Sequence, residues 1–222
     1  CFMRLSLTLS GGQPNIPFSY QHELIRAFHR HLPDNTVHDD ISLYSLGWLR
    51  GGTMRNDSLI FPRGALWDVT FYDDHLAKQF LVGILKDKNI AFGMKVTDVQ
   101  IVEPPEFGEK TKFILQSPIL LKEYDAIEKK GRLVIYSEPQ ANMVMTGTMK
   151  SKLKKANLPD DIRLSFDKDY FPKAKTKLVE IKGIKNKASF CPVIAEGTPE
   201  QLQFAWSVGL GNSTGSGFGA VC

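Results

Sequence analysis

The sequence has little cysteine: three residues in 222, at Cys1, Cys191 and Cys222. That number is odd and no C-x-x-C is present, which argues against a disulfide framework or a zinc ribbon and for a reducing, cytoplasmic setting. No apolar run approaches the roughly 18 residues that a membrane helix needs, so no membrane partner is expected. There is no H-E-x-x-H and no His/Asp cluster at ligand spacing, so neither a metal nor a cofactor is expected. The phosphate-loop pattern G-x-x-x-x-G-K-[ST] is missing, and the one G-x-S-x-G string, Gly211 to Gly215, follows a helix-like segment instead of the strand that a nucleophile elbow requires. A dinucleotide site is excluded by order, because its glycines must lie between a strand and a following helix.

The chain is long enough for one large domain or two of about 100 residues. Its net charge of +4 hides an asymmetry. Residues 1–111 carry 11 Lys+Arg against 13 Asp+Glu, whereas residues 112–222 carry 17 against 11, nearly all of the cations being lysine. Such an imbalance points toward nucleic acid, with a merely solvated surface as the competing reading. Met3 is a candidate natural start, with Cys1-Phe2 an appended pair, and Phe2 to Leu9 reads as a strand rather than a signal peptide.

Glycine is concentrated where the chain ends. The last fourteen residues, GLGNSTGSGFGAVC, place glycine at 209, 211, 215, 217 and 219, with Asn212, Ser213, Thr214 and Ser216 between them. Glycine permits positive φ and close approach, and exposed N–H groups in such a turn form an anion-binding concavity. A loose glycine–serine tail is the alternative. Against it stands the symmetry of GLG-x5-GFG, with apolar Leu210 and Phe218 each held between paired glycines.

Met3, Leu5, Leu7 and Leu9 alternate with polar residues, which predicts a half-buried strand. Ser19 is read as the cap of a helix over 20–32 ended by Pro33, and a second helix is expected over 74–85. Extended pieces are expected over 42–49, 58–61, 66–71 and 92–102. The order strand, helix, strand, strand, helix, strand is that of a ferredoxin-like unit. Pro104-Pro105 marks a boundary. Beyond it, strands over 112–121, 132–136, 162–166, 175–181 and 187–195 and helices over 138–157 and from Pro199 suggest a second, decorated copy. The expected class is therefore α+β: two tandem ferredoxin-like (RRM-like) βαββαβ domains, residues 1–110 and 111–222, with antiparallel sheets and helices on one face.

At 100° per residue, His22, Arg26, His29 and Arg30 form a basic stripe beside the apolar face of the first helix. His31 points about 200° away from His29 and suits the helix C-terminus as a structural residue. His22 and His75 read as surface. His38 lies in the loop DNTVHDD, where Asp39 and Asp40 can hold its tautomer or favour its charged form; a solvated loop histidine is the competing reading. Lys150, Lys152, Lys154 and Lys155 crowd a helix end, Lys173, Lys175 and Lys177 alternate along a strand, and Lys182, Lys185 and Lys187 crowd the following turn. Each set is either a solvated face or a phosphate contact.

GLG-x5-GFG after a double ferredoxin-like order resembles the CRISPR-associated repeat-processing endoribonucleases of the RAMP superfamily. Ile16-Pro-Phe-Ser-Tyr20, Val37-His38-Asp39 and Ser117-Pro-Ile-Leu120 also fit the pattern. The resemblance implies metal-independent cleavage of CRISPR repeats in precursor RNA, by 2′-hydroxyl attack on the adjacent phosphate. It implies His38 as base and His29 as a second catalytic candidate; the helix stripe adds Arg26 and Arg30, and the basic helix end and the glycine turn add RNA contacts from Lys150, Lys152, Lys154, Lys155, Gly209, Gly211, Ser213, Gly215, Gly217 and Gly219. The partner is CRISPR repeat RNA, with subunits of a CRISPR effector complex as further partners, and the state is monomer or homodimer. One departure is evident: some members carry a lysine shortly after the loop histidine, where this chain has Asp39, Asp40, Ile41 and Ser42. A non-catalytic repeat-binding subunit, and an unrelated enzyme binding a small anionic metabolite, are the alternatives.

Overall fold

The structure, a computed structural model, describes residues 2–32 and 41–222. In the first half, β1 (Met3–Leu9) lies between β5 (Ala65–Phe71) and β6 (Val96–Val102), and β2 (Tyr44–Leu46) pairs with the outer side of β5, all antiparallel. This order, β2-β5-β1-β6, is the ferredoxin order. Two helices, α1 (Gln21–Arg30) and α2 (Asp74–Lys86), cover one face. Leu5, Leu7, Leu9, Phe28, Trp67, Phe71 and Phe80 are buried in one cluster between sheet and helices. Gly83 lets α2 approach α1 closely: a Cβ there would meet the His31 carbonyl oxygen at 2.1 Å.

Three sequence expectations change here. The cap of α1 is Tyr20, which makes no side-chain cap bond, and the helix begins at Gln21 rather than at Ser19-Tyr20. The extended piece at 58–61 pairs with a strand not foreseen: β3 (Thr53–Arg55) and β4 (Ser58–Ile60) form a ribbon around Asn56-Asp57, both at positive φ. Finally, β1 is covered on both faces. Arg4, assigned to the polar face, is buried because the second half packs against it. Its guanidinium donates to Thr70 Oγ1 (2.8 Å) and to the Val221 carbonyl (2.6 Å), and lies 3.9 Å from the Trp206 ring centroid.

The second half repeats the order. β7 (Lys110–Phe113), β10 (Arg163–Phe166) and β13 (Val193–Glu196) form a sheet in the order β10-β13-β7. The place of a fourth strand beside β7 is taken by the chain end: Leu115 bridges Val221, and Cys222 N–H donates to the Ile114 carbonyl at 2.9 Å. Helices α3 (Ala141–Lys155) and α4 (Pro199–Val208) complete the unit, α4 opening on a full capping box of Thr198 and Gln201. Two hairpins are inserted: β8 (Leu121–Asp125) with β9 (Lys130–Val134), and β11 (Lys175–Ile181) with β12 (Ile184–Phe190). The strand expected over 187–195 is divided into β12 and β13 at Cys191-Pro192, where proline has no N–H for the ladder. The fold is thus two tandem ferredoxin-like units.

The glycine-rich end is wedged in the seam between them. A Cβ at Gly219 would lie 1.8 Å from the Leu210 carbonyl oxygen, and one at Gly211 2.6 Å from that of Leu120. Ser117-Pro-Ile-Leu120 forms the other wall: the Gly219 N–H donates to the Pro118 carbonyl (2.8 Å), the Ala220 N–H to Ser117 Oγ (2.9 Å) and the Asn212 N–H to the Leu120 carbonyl (2.7 Å). Gly219→Ala should therefore cost at least about 2 kcal/mol, from both its φ of 67° and the clash. Gly147→Ala, inside α3 with nothing within 4 Å of the added carbon, should stabilise by about 0.5–1 kcal/mol. Urea unfolding of both variants checks the contrast.

Candidate functional site

The seam opens into a cleft of about 540 Å³. One wall is the polar stripe of α1: His22, Arg26, His29 and Arg30, with Ile25 among them. The amphipathic spacing that buries Leu24, Ala27 and Phe28 in the core turns this stripe away from it. The floor is Ser42 and Tyr44, at the entry to β2. Two elements of the second half close the cleft: the tip of the β11–β12 hairpin, through Ile181 and Lys182, and the glycine turn, through Gly215 and Ser216. Lys182 and Gly183, both at positive φ, form the two-residue turn that carries the lysine across the seam.

The cations are held differently. Arg26 is mostly exposed and pairs with Glu23, one turn back on the surface, at 3.2 Å; such a pair contributes little and exchanges readily with another anion. Arg30 is tethered, donating to the carbonyls of Asn89 and Ile90 at 2.9 Å each, with the Asp87 carboxylate 3.9 Å away. The Asp87 carboxyl is held below its ordinary range, first by the N–H and side-chain amide of Asn89 and then by the positive groups nearby. His29 is half-buried, its ring edge-on to Phe28 at 5.2 Å. His22 is half-buried, and its Nδ1 has no hydrogen-bond partner among the described residues. His31 faces away from the cleft, its ring nitrogens lying 2.6 Å and 2.7 Å from the carbonyl oxygens of Ala27 and Asp87. His38 lies outside the described residues; in the sequence it precedes cleft residue Ser42 by four positions.

The α3 lysines are not in this cleft, because successive side chains on a helix point in different directions. Lys150 lines a separate groove with Arg163. Lys154 pairs with Asp160 at 3.4 Å, and Lys155 donates to the Ile41 carbonyl at 2.8 Å. Lys152 is turned inward: it is buried, and its Nζ donates to the Val208 carbonyl (3.2 Å) and to Thr214 Oγ1 (3.0 Å), which itself donates to the Tyr44 carbonyl at 2.9 Å. That chain ties α3, the glycine turn and β2 together.

The glycine turn likewise differs from an open phosphate cradle. Gly209, Gly211, Gly215, Gly217 and Gly219 are all buried, and the N–H groups of 209, 217 and 219 donate to protein carbonyls. The turn nonetheless lines a polar hollow of about 540 Å³ with Lys122 and Ser151. What the turn presents at its surface is Asn212, Ser213 and Ser216, all half-exposed. Ser42 and Tyr44 had no signature in the sequence; Ser216 did, as a polar residue of the glycine turn, and Lys182 did, as the lysine of a Lys-Gly turn at the end of a basic strand. Among the described residues, no three His, Cys, Asp or Glu side chains gather as ligands for a metal ion, and no helix is long and apolar enough to cross a membrane.

Two ferredoxin-like units thus meet at a cleft of imidazoles, guanidiniums and a hairpin lysine. The family profile described as "CRISPR associated protein Cas6, C-terminal" matches residues 102–222, and the chain belongs to the Cas6 family of CRISPR-associated proteins. Solved structures share the fold over essentially the whole chain. A Cas6-related gene product from Pyrococcus furiosus is 18% identical, with a TM-score of 0.87 and coverage of 100% of this chain and 98% of that one. A CRISPR associated protein Cas6 is 19% identical, with a TM-score of 0.83 and coverage of 100% and 99%. A RAMP protein described as binding different RNA substrates is 16% identical, with a TM-score of 0.85 and coverage of 99% and 98%. No curated protein matches the chain in sequence.

Burial pushes the Lys152 amine down to about 7 from 10.5. A lysine lowered on folding binds its proton less well in the native state, so it weakens the fold wherever the unfolded chain holds that proton. Native stability should therefore rise with pH from about 7 toward 10.5 relative to a Lys152→Met variant. Urea midpoints of both proteins at pH 6 and pH 9 check this: the wild type should gain on the variant at the higher pH.

Proposed function

We propose that this chain is an endoribonuclease that cuts CRISPR repeats in precursor RNA without a metal ion. The observation that carries the reading is the seam cleft, in which the α1 stripe faces Lys182 and the glycine turn. The 2′-hydroxyl of the nucleotide before the scissile bond attacks the adjacent phosphorus. As the O2′–P bond forms, its proton passes to an imidazole; as the P–O5′ bond breaks, an acid protonates the leaving oxygen. The products are a 2′,3′-cyclic phosphate and a 5′-hydroxyl.

His38 is the proposed base, from the family resemblance. His29 is the second candidate for proton transfer, on the helix wall. Arg26, paired at the surface with the Glu23 carboxylate, and Arg30 meet the charge growing on the phosphate. Lys182 supplies, from the opposite half, the cation that the sequence lacks after His38. Ser213 and Ser216 provide hydroxyls along the turn, and the buried glycines act by holding that turn in place.

A second reading has its own support. With Asp39 and Asp40 where some members carry a lysine, the chain binds the repeat and leaves cutting to another subunit. Incubation in EDTA with repeat-bearing RNA, and with the same RNA carrying a 2′-deoxy sugar at the scissile nucleotide, separates the two. The nuclease reading expects cleavage that survives EDTA and stops with the deoxy sugar. Replacing the base should slow cutting by about 100-fold or more, so His38→Ala and His29→Ala, tested separately, identify it; Arg26→Ala and Lys182→Ala should each cost about tenfold or more. Salt-dependent binding without cutting favours the second reading.

A further inference from the structure

Beside the cleft, further along the same seam, is a second hollow of about 500 Å³ between the start of α1 and strand β11. We propose that this recess binds one unpaired nucleobase with an adenine-type edge and so fixes which nucleotide of a single strand is delivered to the neighbouring cleft. The proposal rests on the RNA reading above and deepens it.

Four observations carry it. The first is an exposed ring. Phe18, on the approach to α1, is 48% exposed at the rim, where an aromatic side chain gains little from packing but offers a face for stacking. The second is a fixed ring. The Trp48 indole N–H donates to the Gly217 carbonyl at 2.9 Å, its edge meets Phe190 at 5.8 Å, and the Lys177 ammonium stands 5.6 Å from its ring centroid. It is a rigid, half-exposed platform with a cation above it.

The third observation is an unsatisfied amide. Gln21 lines the recess and is only 4% exposed, yet its carbonyl Oε1 has no hydrogen-bond partner among the described residues. A buried orphan acceptor calls for a donor. A carboxamide offers an acceptor and a donor side by side, the pair that meets the amino group and ring nitrogen of adenine.

The fourth is charge. The recess holds Lys177 and Glu180, which offset one another, whereas the cleft collects Arg26, Arg30 and Lys182. Phosphate belongs in the cleft and a neutral aromatic group in the recess. The two hollows adjoin along the chain: Gln21 and His22 are consecutive on α1, and Glu180 and Ile181 are consecutive on β11. A strand whose backbone crosses the cleft thus has a base within reach of Phe18 and Trp48.

The test uses the full chain with single-stranded dodecamers of riboadenylate and ribouridylate. Trp67 and Trp206 are fully buried in the two cores, so a change in tryptophan emission on RNA addition reads Trp48. Riboadenylate should quench that emission and bind about tenfold more tightly than ribouridylate. Phe18→Ala, a surface change that leaves the core intact, should lose about tenfold in riboadenylate affinity and most of the quench. Gln21→Met should bring the two affinities together, while Arg26→Ala should weaken both equally. Wild-type binding with no discrimination and no change in emission would overturn the recess while leaving the RNA reading standing, as would full riboadenylate affinity and quench in Phe18→Ala. If the wild type binds neither RNA nor a repeat-bearing transcript, both readings fall.

Discussion

The architecture depends on a steric constraint at the C-terminus: a turn with almost no side chains must fit between two folded units. Gly219 against Leu210, Gly211 against Leu120 and Gly215 against Ser42 and Tyr44 leave no room for a Cβ. Leu210 and Phe218 then drop into two clusters of the second half, the first among the residues around Trp206 and the second beside Leu120, Val179 and Ala188. The chain end pairs with the loop after β7, and its Val221 carbonyl receives Arg4 from the first strand. One short segment therefore completes the second sheet and joins it to the first.

Polar groups buried in that seam fix the relation of the halves. Asp68 accepts from Arg50 (2.8 Å) and Ser6 (2.7 Å) in its own unit and from Gln116 (2.7 Å) in the other. Arg4 lies on Trp206, the Trp48 indole donates to the Gly217 carbonyl in the glycine turn, and Lys152 reaches β2 through Thr214. Buried donors and acceptors tolerate few alternative arrangements, because a slip leaves several unpaired at once. The cleft inherits this rigidity: its α1 wall and its hairpin lysine belong to different halves, and their separation is fixed by contacts that neither half makes alone.

Much of the fold was legible in the residues. The alternation of Leu5, Leu7 and Leu9, the helix expected over 74–85 and the helix start at Pro199 are local signals with local causes, and each appears where expected. Elements that depended on a partner were harder. The β3–β4 ribbon has three-residue strands, too short for a periodic signal, and the Arg4 face of β1 reads as solvent-exposed until another domain covers it. The α1 stripe was legible because helical geometry fixes it. The α3 lysines misled because a run of like charge in sequence is spread around a helix, sending Lys152 into the seam and Lys150 to another groove.

By itself, the sequence determined the two ferredoxin-like element orders, the basic stripe on the first helix and the need for a glycine-built turn at the end, because these follow from side-chain periodicity and backbone sterics within a few residues. The tertiary structure decided that the glycines are a packed wedge rather than an open cradle, that Lys182 crosses to the α1 stripe, and that Phe18, Gln21 and Trp48 share a recess. Those outcomes depend on which surfaces of the two halves meet, and that is settled by burial and hydrogen bonding between residues more than 100 positions apart.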